Sequence, residues 1–253
     1  MTMSTQLPLS GKVIVITGAT SGVGKSLAVA CANAGATIAA IGRSSQKLEA
    51  LKEIISDRHY FKSFDVTDYA NIKPLIADIV DKCGKISGFV HSAGIVTINP
   101  INSMTSSDYE KIFATNVIAG FEFVKHIVAK KNIAENSSIL LISSVSALKG
   151  EVGLVAYSAS KGAILSGMRS LAAELARKKI RVNALIPGQM IDTEMGQNTV
   201  DTLPPDALEV LKTKHPLGFG NTSSLTGAAI YFLSDESWWV TGSSLQIDGG
   251  FCL

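Results

Sequence analysis

Cysteine is scarce in this sequence, which has only Cys31, Cys83 and Cys252 among its 253 residues. Their number is odd and their spacing matches no set of metal ligands, so we expect reduced thiols and no disulfide framework or metal centre. Charge is also sparse, because Lys, Arg, Asp and Glu make up 17% of the chain and the formal net charge is +2. This balance does not favour nucleic acid or an anionic membrane as the main partner.

Long apolar runs are missing as well. No segment approaches the roughly 20 apolar residues of a membrane-spanning helix. The first ten residues are polar and lack the basic start and apolar core of a signal peptide. We therefore predict a cytoplasmic protein with no membrane partner. Hydrophobic residues still make up 46% of the chain, a composition typical of globular rather than disordered proteins.

Short apolar runs alternate with longer amphipathic stretches along the whole chain, and this order predicts a parallel sheet covered by helices on both faces. The predicted strands are 12–16, 37–41, 61–64, 88–91, 138–142, 181–185 and 244–247. The sequence has no internal repeat and no linker. We therefore expect a flexible segment over 1–10 and one doubly wound (Rossmann) α/β domain over 11–253, a three-layer sandwich with a mostly parallel sheet of about seven strands.

A glycine-rich segment, 17–24, follows the first predicted strand and precedes the first predicted helix. Gly18 permits a tight turn, Gly22 lets the backbone approach a phosphate, and Gly24 allows close packing of the helix. The free amides and the dipole at a helix N-terminus favour an anion. The alternative is a tight connection without a ligand. Because the segment lies between a strand and a helix, we predict that it binds a dinucleotide.

The end of the second predicted strand bears on the choice of dinucleotide. A carboxylate there would bind a ribose 2′-hydroxyl and repel a 2′-phosphate, but the chain reads Ile41-Gly42-Arg43-Ser44. Arg43 offers several N–H donors to a phosphate and Ser44 offers a hydroxyl. The alternative is a solvated arginine at the start of a helix. We predict NADP(H) in preference to NAD(H).

Tyr157 and Lys161 lie four residues apart in a predicted helix and so share one of its faces. A positive charge beside a phenol favours phenolate, so we expect Lys161 to lower the Tyr157 pKa from about 10 and to make it a general acid. The alternative is a half-buried tyrosine beside a solvated lysine.

Segment 17–24 together with Ser144, Tyr157 and Lys161 resembles the short-chain dehydrogenase/reductase family, above all its 3-oxoacyl-acyl-carrier-protein reductase subgroup. The resemblance extends over nearly the whole chain. It implies hydride transfer between a nicotinamide and a carbonyl carbon, with a tyrosine giving the proton to the oxygen. With NADPH, the expected direction is reduction of a ketone to an alcohol.

The resemblance implies four catalytic residues: Asn116, Ser144, Tyr157 and Lys161. Ser144 would hydrogen-bond the substrate carbonyl, Asn116 would hold a water beside Lys161, and Lys161 would bind the nicotinamide ribose. A serine turn after a strand and an asparagine that bonds locally are the alternatives for the first two.

The resemblance also implies a set of cofactor contacts. For Asp65 the alternative is a helix cap. His91 stands where the family usually has asparagine, and we expect it to be structural; Thr193 lies one residue later than the common spacing. The implied contacts are Gly18, Thr20, Ser21, Gly22, Val23, Gly24, Arg43, Ser44, Asp65, Val66, His91, Ala93, Gly94, Tyr157, Lys161, Pro187, Gly188, Ile191 and Thr193.

The substrate lid is expected over 189–217, where methionine, leucine and proline suggest an apolar or acyl-like substrate or only lid packing. A substrate carried on acyl carrier protein or CoA would need a basic docking surface, for which 130–131 and 177–179 are candidates. Ala173 stands where the oxoacyl reductases commonly have arginine. A free ketone, a sugar or another small alcohol therefore stays open as the substrate.

A regulator that senses NADP without turnover is a further alternative on the same scaffold. Such proteins typically lose the tyrosine or the lysine, and this chain has both. The final stretch, 225–250, resembles the part of the family fold that builds a homotetramer, so we expect a tetramer or a dimer. Its paired tryptophans, Trp238 and Trp239, would also suit a core.

Overall fold

The computed structural model describes residues 6–253, which build one parallel sheet. The strands are β1 Val13–Thr17, β2 Thr37–Gly42, β3 Tyr60–Ser63, β4 Ile86–His91, β5 Ile133–Ile142, β6 Arg181–Pro187 and β7 Ser244–Ile247. Their order across the sheet is β3-β2-β1-β4-β5-β6-β7. All of the predicted strands are present, and the predicted doubly wound α/β fold is confirmed.

Helices cover both faces of the sheet because its central strands are apolar on both sides. Alternate residues of β1 point in opposite directions: Val15 packs with helices on one face of the sheet, while Ile14 and Ile16 pack with helices on the other face. The helices are α1 Gly22–Asn33, α2 Ser45–Ile55, α3 Tyr69–Cys83, α4 Ser106–Phe113, α5 Ala119–Ile127, α6 Val155–Leu175, α7 Glu194–Thr202, α8 Pro205–Thr213 and α9 Thr226–Leu233.

Strand β5 begins earlier than its apolar run predicts. Ile133 pairs with Ile86, the register then shifts, and Ser138 pairs with Gly88. Within the shift Asn136 has a positive φ of 54°. The polar residues of this bulge hide the first part of the strand from a pattern based on hydrophobicity.

The strand order reverses between β1 and β4, so the connections after these two strands leave toward opposite sides of the sheet. Doubly wound sheets bind their ligands at the carboxyl edge beside such a reversal. The glycine-rich segment follows β1, and Ser92 to Gly94 follow β4, so both lie at this edge.

The boundary between a terminal segment and the domain at residue 11 stays a prediction, and residues 1–5 lie outside the described part of the chain. Leu9 is fully buried, and its backbone N–H donates to the Ala34 carbonyl at 2.9 Å. Packing against the domain is therefore established before Gly11. None of the helices within residues 6–253 has the length and apolar character to cross a membrane.

Candidate active site

A large pocket of about 1600 Å³ opens along the carboxyl edge of the sheet. It exceeds the roughly 300–1,000 Å³ typical of small-molecule sites, so it has room for a dinucleotide together with a substrate. Most of the predicted site residues line it: Gly18, Thr20, Ser21, Gly22, Val23, Arg43, Asp65, Val66, Ala93, Gly94, Ser144, Tyr157, Lys161, Pro187, Gly188 and Thr193. The structure does not bring Gly24, Ser44, His91, Asn116 or Ile191 to its wall.

The glycine-rich turn is built by close backbone contacts. A Cβ on Gly18 would lie 2.7 Å from the Ala93 nitrogen, and a Cβ on Gly24 would lie 2.2 Å from the Gly18 oxygen. Gly24 therefore packs closely against the backbone of the turn. At the start of α1, the Ser21 side chain makes no capping hydrogen bond and the first turn has no acidic residue. Its amides and helix dipole are available to an anion, so the turn fits a pyrophosphate.

The end of β2 leaves no space for a side chain at position 42. A Cβ on Gly42 would lie 2.3 Å from Thr20 Cγ2. Arg43 is exposed, lines the pocket, and makes no ion pair with any of residues 6–253. Ser44 instead caps α2, accepting a hydrogen bond from the Lys47 amide at 3.2 Å. A cationic group thus faces the pocket, while the Ser44 hydroxyl belongs to the helix.

Asp65 does not cap the next helix, α3, whose N-cap is Asp68. The Asp65 Oδ1 accepts hydrogen bonds from the Thr67 amide at 2.9 Å and the Thr67 hydroxyl at 2.7 Å, and these bonds lower the pKa of the carboxyl. The same residue lines the pocket next to Val66. An ionised carboxylate held by its own turn can still accept a hydrogen bond from a ligand.

His91 lies behind the pocket in a chain of hydrogen bonds. The Ala93 amide contacts Thr17 Oγ1 at 3.4 Å, Thr17 Oγ1 lies 2.9 Å from His91 Nδ1, and His91 Nε2 lies 3.2 Å from the Thr115 oxygen. Because a carbonyl only accepts, Nε2 carries the proton and Nδ1 accepts from Thr17. The imidazole thereby ties the loop after β4 to the turn that carries Asn116.

Burial lowers the pKa of His91 to about 4, and the charge of Lys161 adds to this effect. We expect His91→Asn to unfold more easily than wild type at pH 7, by about 2 kcal/mol, since it loses two hydrogen bonds and packing. The unfolded histidine takes up its proton near pH 6.5 and the folded one only near 4. The free energy of unfolding of the wild type should therefore fall by about 3 kcal/mol as the pH is lowered from 6.5 to about 4, whereas that of the variant should not. Urea unfolding at pH 7, 5.5 and 4 measures the stability difference between the variant and wild type and its change with pH. A stability difference that stays constant with pH would contradict the prediction.

Ser144, Tyr157 and Lys161 converge where β5 meets α6. Ser144 follows the end of β5, and its hydroxyl hydrogen-bonds the Tyr157 phenol. Lys161 lies one turn after Tyr157 on α6, with Nζ 5.6 Å from the tyrosine ring centroid. Its ammonium donates to the Ile142 carbonyl at 2.9 Å. The structure thus places the Tyr157 phenol next to the Ser144 hydroxyl and the buried Lys161 ammonium.

The pKa values of this pair differ from the expectation. Burial raises the pKa of Tyr157, and the Ser144 hydrogen bond opposes that rise in part. Burial also lowers the pKa of Lys161 to about 8. The predicted lowering of the Tyr157 pKa is wrong for this arrangement, because desolvation of the phenol is the largest cause of its shift and raises the pKa. A tyrosine with a raised pKa is protonated at neutral pH and therefore ready to donate.

Asn116 is fully buried in a π-helical turn, Ala114–Ile118, between α4 and α5. Its Oδ1 accepts from the Ile95 amide at 2.8 Å, and its Nδ2 donates to the Ile95 carbonyl and to Ser160 Oγ, both at 3.0 Å. A Cβ on Gly94 would lie 3.4 Å from Asn116 Oδ1 and 3.5 Å from Lys161 Nζ. The amide oxygen and the ammonium thus flank Gly94, and the water between them stays a prediction.

The loop after β6 lines the pocket near the glycine-rich turn. Pro187 and Gly188 line it, and Thr193 faces the glycine-rich turn, with its Cγ2 3.3 Å from a Cβ placed on Gly22. The Thr193 hydroxyl caps α7, accepting from the Gly196 amide at 2.9 Å. Ile191 lies outside the pocket, and its amide donates to the Gly220 carbonyl at 3.1 Å.

The pocket is also lined by residues that the sequence did not single out, among them Ser146, Glu151 and Phe251. Ser146 and Glu151 lie between Ser144 and Tyr157 in the sequence. A short segment joining two site residues stays close to both, and this proximity was the available signal. Phe251 comes from the far C-terminal end, and only the tertiary fold places it there.

Comparisons with known proteins show which family the whole chain is similar to. The family model described as Enoyl-(Acyl carrier protein) reductase matches residues 18–252. The chain is 34% identical to the 3-oxoacyl-(acyl-carrier-protein) reductase FabG of Thermotoga maritima, over 97% of this chain and 99% of that protein. It is 33% identical to 2-(S)-hydroxypropyl-CoM dehydrogenase 3 of Xanthobacter autotrophicus, over 96% of this chain and 97% of that protein. A crystal structure of a short-chain dehydrogenase/reductase (glucose/ribitol dehydrogenase) from Brucella melitensis is similar, with a TM-score of 0.91, 26% identity, and 98% and 99% of the chains covered.

Proposed function

Because the chain belongs to the short-chain dehydrogenase/reductase family, whose members are oxidoreductases acting on alcohol and ketone groups, we propose that it reduces a ketone with NADPH and that Tyr157 donates the proton. The observation that carries the proposal is the convergence of Ser144, Tyr157 and Lys161 at the wall of a pocket that also contains the glycine-rich turn.

The residues of the pocket divide between two tasks. The turn after β1 and Arg43 would hold the dinucleotide, whose nicotinamide supplies the hydride when it is bound. Ser144 donates a hydrogen bond to the carbonyl oxygen, and Tyr157 transfers its phenolic proton to that oxygen. Lys161 is held by the Ile142 carbonyl at 2.9 Å, and its ammonium stabilises negative charge that develops on Tyr157.

Two kinds of ketone are supported by the relatives. A 3-oxoacyl thioester on acyl carrier protein follows from the name of the Thermotoga protein, and a small hydroxylated substrate follows from the names of the other two. The basic segments 130–131 and 177–179 precede β5 and β6, so they lie at the edge of the sheet opposite the pocket. This placement does not suit docking of a carrier protein over the pocket, and it favours the smaller substrates.

Turnover of NADPH with a panel of carbonyl compounds tests the proposed activity. We expect absorbance at the NADPH band to fall with at least one ketone when acetoacetyl thioesters are compared with free ketones and sugars. Tight NADPH binding without turnover of any carbonyl would instead support a sensor, and it would overturn the proposed activity.

Arg43→Ala tests the choice of cofactor. Since a charged hydrogen bond contributes about 1.5–3 kcal/mol, we expect NADPH binding to weaken by about ten- to a hundredfold, with NADH binding nearly unchanged. Titration calorimetry with both nucleotides measures the difference, and Arg58→Ala, at an exposed arginine before β3, is the matched control. An equal loss for both nucleotides would exclude contact with a 2′-phosphate.

We propose further that the protein is a cytoplasmic homo-oligomer, a tetramer or a dimer. Trp238 and Trp239 are 70% and 82% exposed next to the edge strand β7, so they are not core residues of the single chain. An exposed aromatic pair at a sheet edge suits contact with a second copy. Light scattering should give an oligomer mass for the wild type and a smaller one for Trp238→Glu.

A further inference from the structure

Glu151 places a carboxylate at the reacting end of the pocket. It lies in the loop between β5 and α6 and lines the pocket. Its Oε2 accepts a hydrogen bond from the Ser146 hydroxyl at 3.2 Å, and the Ser146 oxygen lies 3.3 Å from the Ser144 oxygen. A single hydroxyl therefore separates this carboxylate from the serine proposed to bind the carbonyl.

The charge of Glu151 has no counter-ion. Among residues 6–253 no cation forms an ion pair with it. The nearest lysine in sequence, Lys149, donates to the Phe251 carbonyl at 2.7 Å, and its Nζ lies 4.5 Å from the centroid of that ring. The negative charge of Glu151 contributes to the raised pKa of Tyr157, so its field extends to the proposed proton donor. A substrate carbonyl between Ser144 and Tyr157 would lie within the same field.

Apolar side chains and serines share the pocket wall with Glu151. Ile98, Val152, Leu154 and Phe251 line this end of the pocket with it. Glu151 is exposed at this wall, so its carboxylate can accept a hydrogen bond from a donor on a ligand in the pocket. The same carboxylate repels a negative charge placed beside the carbonyl.

Building on the function proposed above, we propose that Glu151 determines the substrate class: it accepts a hydrogen bond from a hydroxyl next to the reacting carbonyl and rejects ketones with an anionic group there. The substrate is then a neutral hydroxy ketone. In its reduction the carbonyl carbon takes a hydride from NADPH and the oxygen takes a proton from Tyr157, which gives a vicinal diol and NADP⁺. The hydroxyl bound by Glu151 is unchanged.

Two pairs of probes separate the two parts of this selectivity. Comparison of 1-hydroxybutan-2-one with butan-2-one reports the hydroxyl contact, and comparison of methyl 2-oxobutanoate with 2-oxobutanoate reports the rejection of charge. We expect wild type to prefer the first member of each pair in kcat/KM. Glu151→Gln should reduce the preference for the ester over the anion about tenfold, the effect of one charge contact in a partly solvated site.

Three further variants define the role. Glu151→Asp keeps the charge and should keep the rejection of 2-oxobutanoate, whereas Glu151→Ala should also lose the preference for the hydroxy ketone. Glu53→Gln removes an exposed acid from α2 that does not line the pocket, and it should leave both ratios as they are. A residue that only held the loop would change all four substrates by one factor, so the ratios distinguish the two roles.

Two results would overturn the inference. If wild type reduces ketones and Glu151→Gln, with NADPH binding intact, keeps both wild-type ratios, then Glu151 does not select the substrate and the proposed reductase stands. If wild type binds NADPH but reduces none of the four probes or the wider panel, the proposed function fails, and the inference fails with it.

Discussion

Tyr157→Phe is expected to lower kcat for ketone reduction about 10³-fold while NADPH binds as tightly as before, since general acid catalysis typically contributes 10²- to 10⁴-fold. The substitution removes one oxygen atom from a half-buried ring at the pocket wall. Ser144 can still hydrogen-bond the carbonyl, so the variant keeps the means to bind substrate but has no proton donor at that position. Steady-state kinetics with the best ketone of the panel, together with an NADPH titration, measure both quantities.

Tyr60→Phe is the matched control for this experiment. Its hydroxyl donates to Asp78 at 2.6 Å, far in the fold from the pocket, so its loss should reduce stability and leave kcat unchanged. A Tyr157→Phe enzyme with more than a tenth of the wild-type kcat would contradict the assignment of Tyr157 as proton donor. A variant that fails to bind NADPH would point instead to a role in building the cofactor site.

Much of the fold is predictable from the sequence because the central strands are buried on both faces. The run Val13 to Ile16 is apolar at every position, and a glycine-rich turn directly follows it. Local patterns of this kind report the environment of a strand without knowledge of its partners. The bulge near Asn136 left no such pattern, since its residues are polar and its shape depends on pairing with β4.

The site was less fully predictable, for a related reason. Spacing indicates which side chains are neighbours, as for Tyr157 and Lys161, but it does not report how much water surrounds them. The direction of the Tyr157 pKa therefore could not be obtained from the spacing, because burial decides it. The positions of Ser44, which caps α2, and of Phe251, which reaches the pocket from the end of the chain, likewise depend on the folded structure.

Lys161→Met is expected to lower kcat by about 10²- to 10⁴-fold and at the same time to stabilise the folded protein. The lysine is 6% exposed, and burial lowers its pKa from 10.5 to about 8. That lowering corresponds to about 3 kcal/mol of unfavourable interaction with the charged form in the folded state. Methionine has a similar length and no charge to desolvate, but it loses the hydrogen bond to Ile142, worth about 1 kcal/mol.

The direction in which stability changes with pH follows from the pKa of Lys161 in the unfolded and in the folded protein. Between pH 8 and 10.5 the unfolded lysine holds a proton that the folded one has released, so wild-type stability rises with pH in that window. At pH 7 the full cost is present, and Lys161→Met should be more stable by about 2 kcal/mol in urea unfolding. This advantage should shrink as the pH is raised from 8 to 10.

Lys149→Met is the control that distinguishes the effect of removing a buried charge from the effect of removing any lysine. The Lys149 ammonium also donates to a carbonyl, that of Phe251 at 2.7 Å, but its side chain is only partly buried. Its replacement should destabilise the protein at every pH. If Lys161→Met is instead no more stable than wild type at pH 7, the ammonium is well solvated, and the stated cause of its lowered pKa is wrong. If the variant is more stable and inactive, Lys161 is kept for catalysis at a cost to folding, as expected of a charge that the fold buries beside the proposed proton donor.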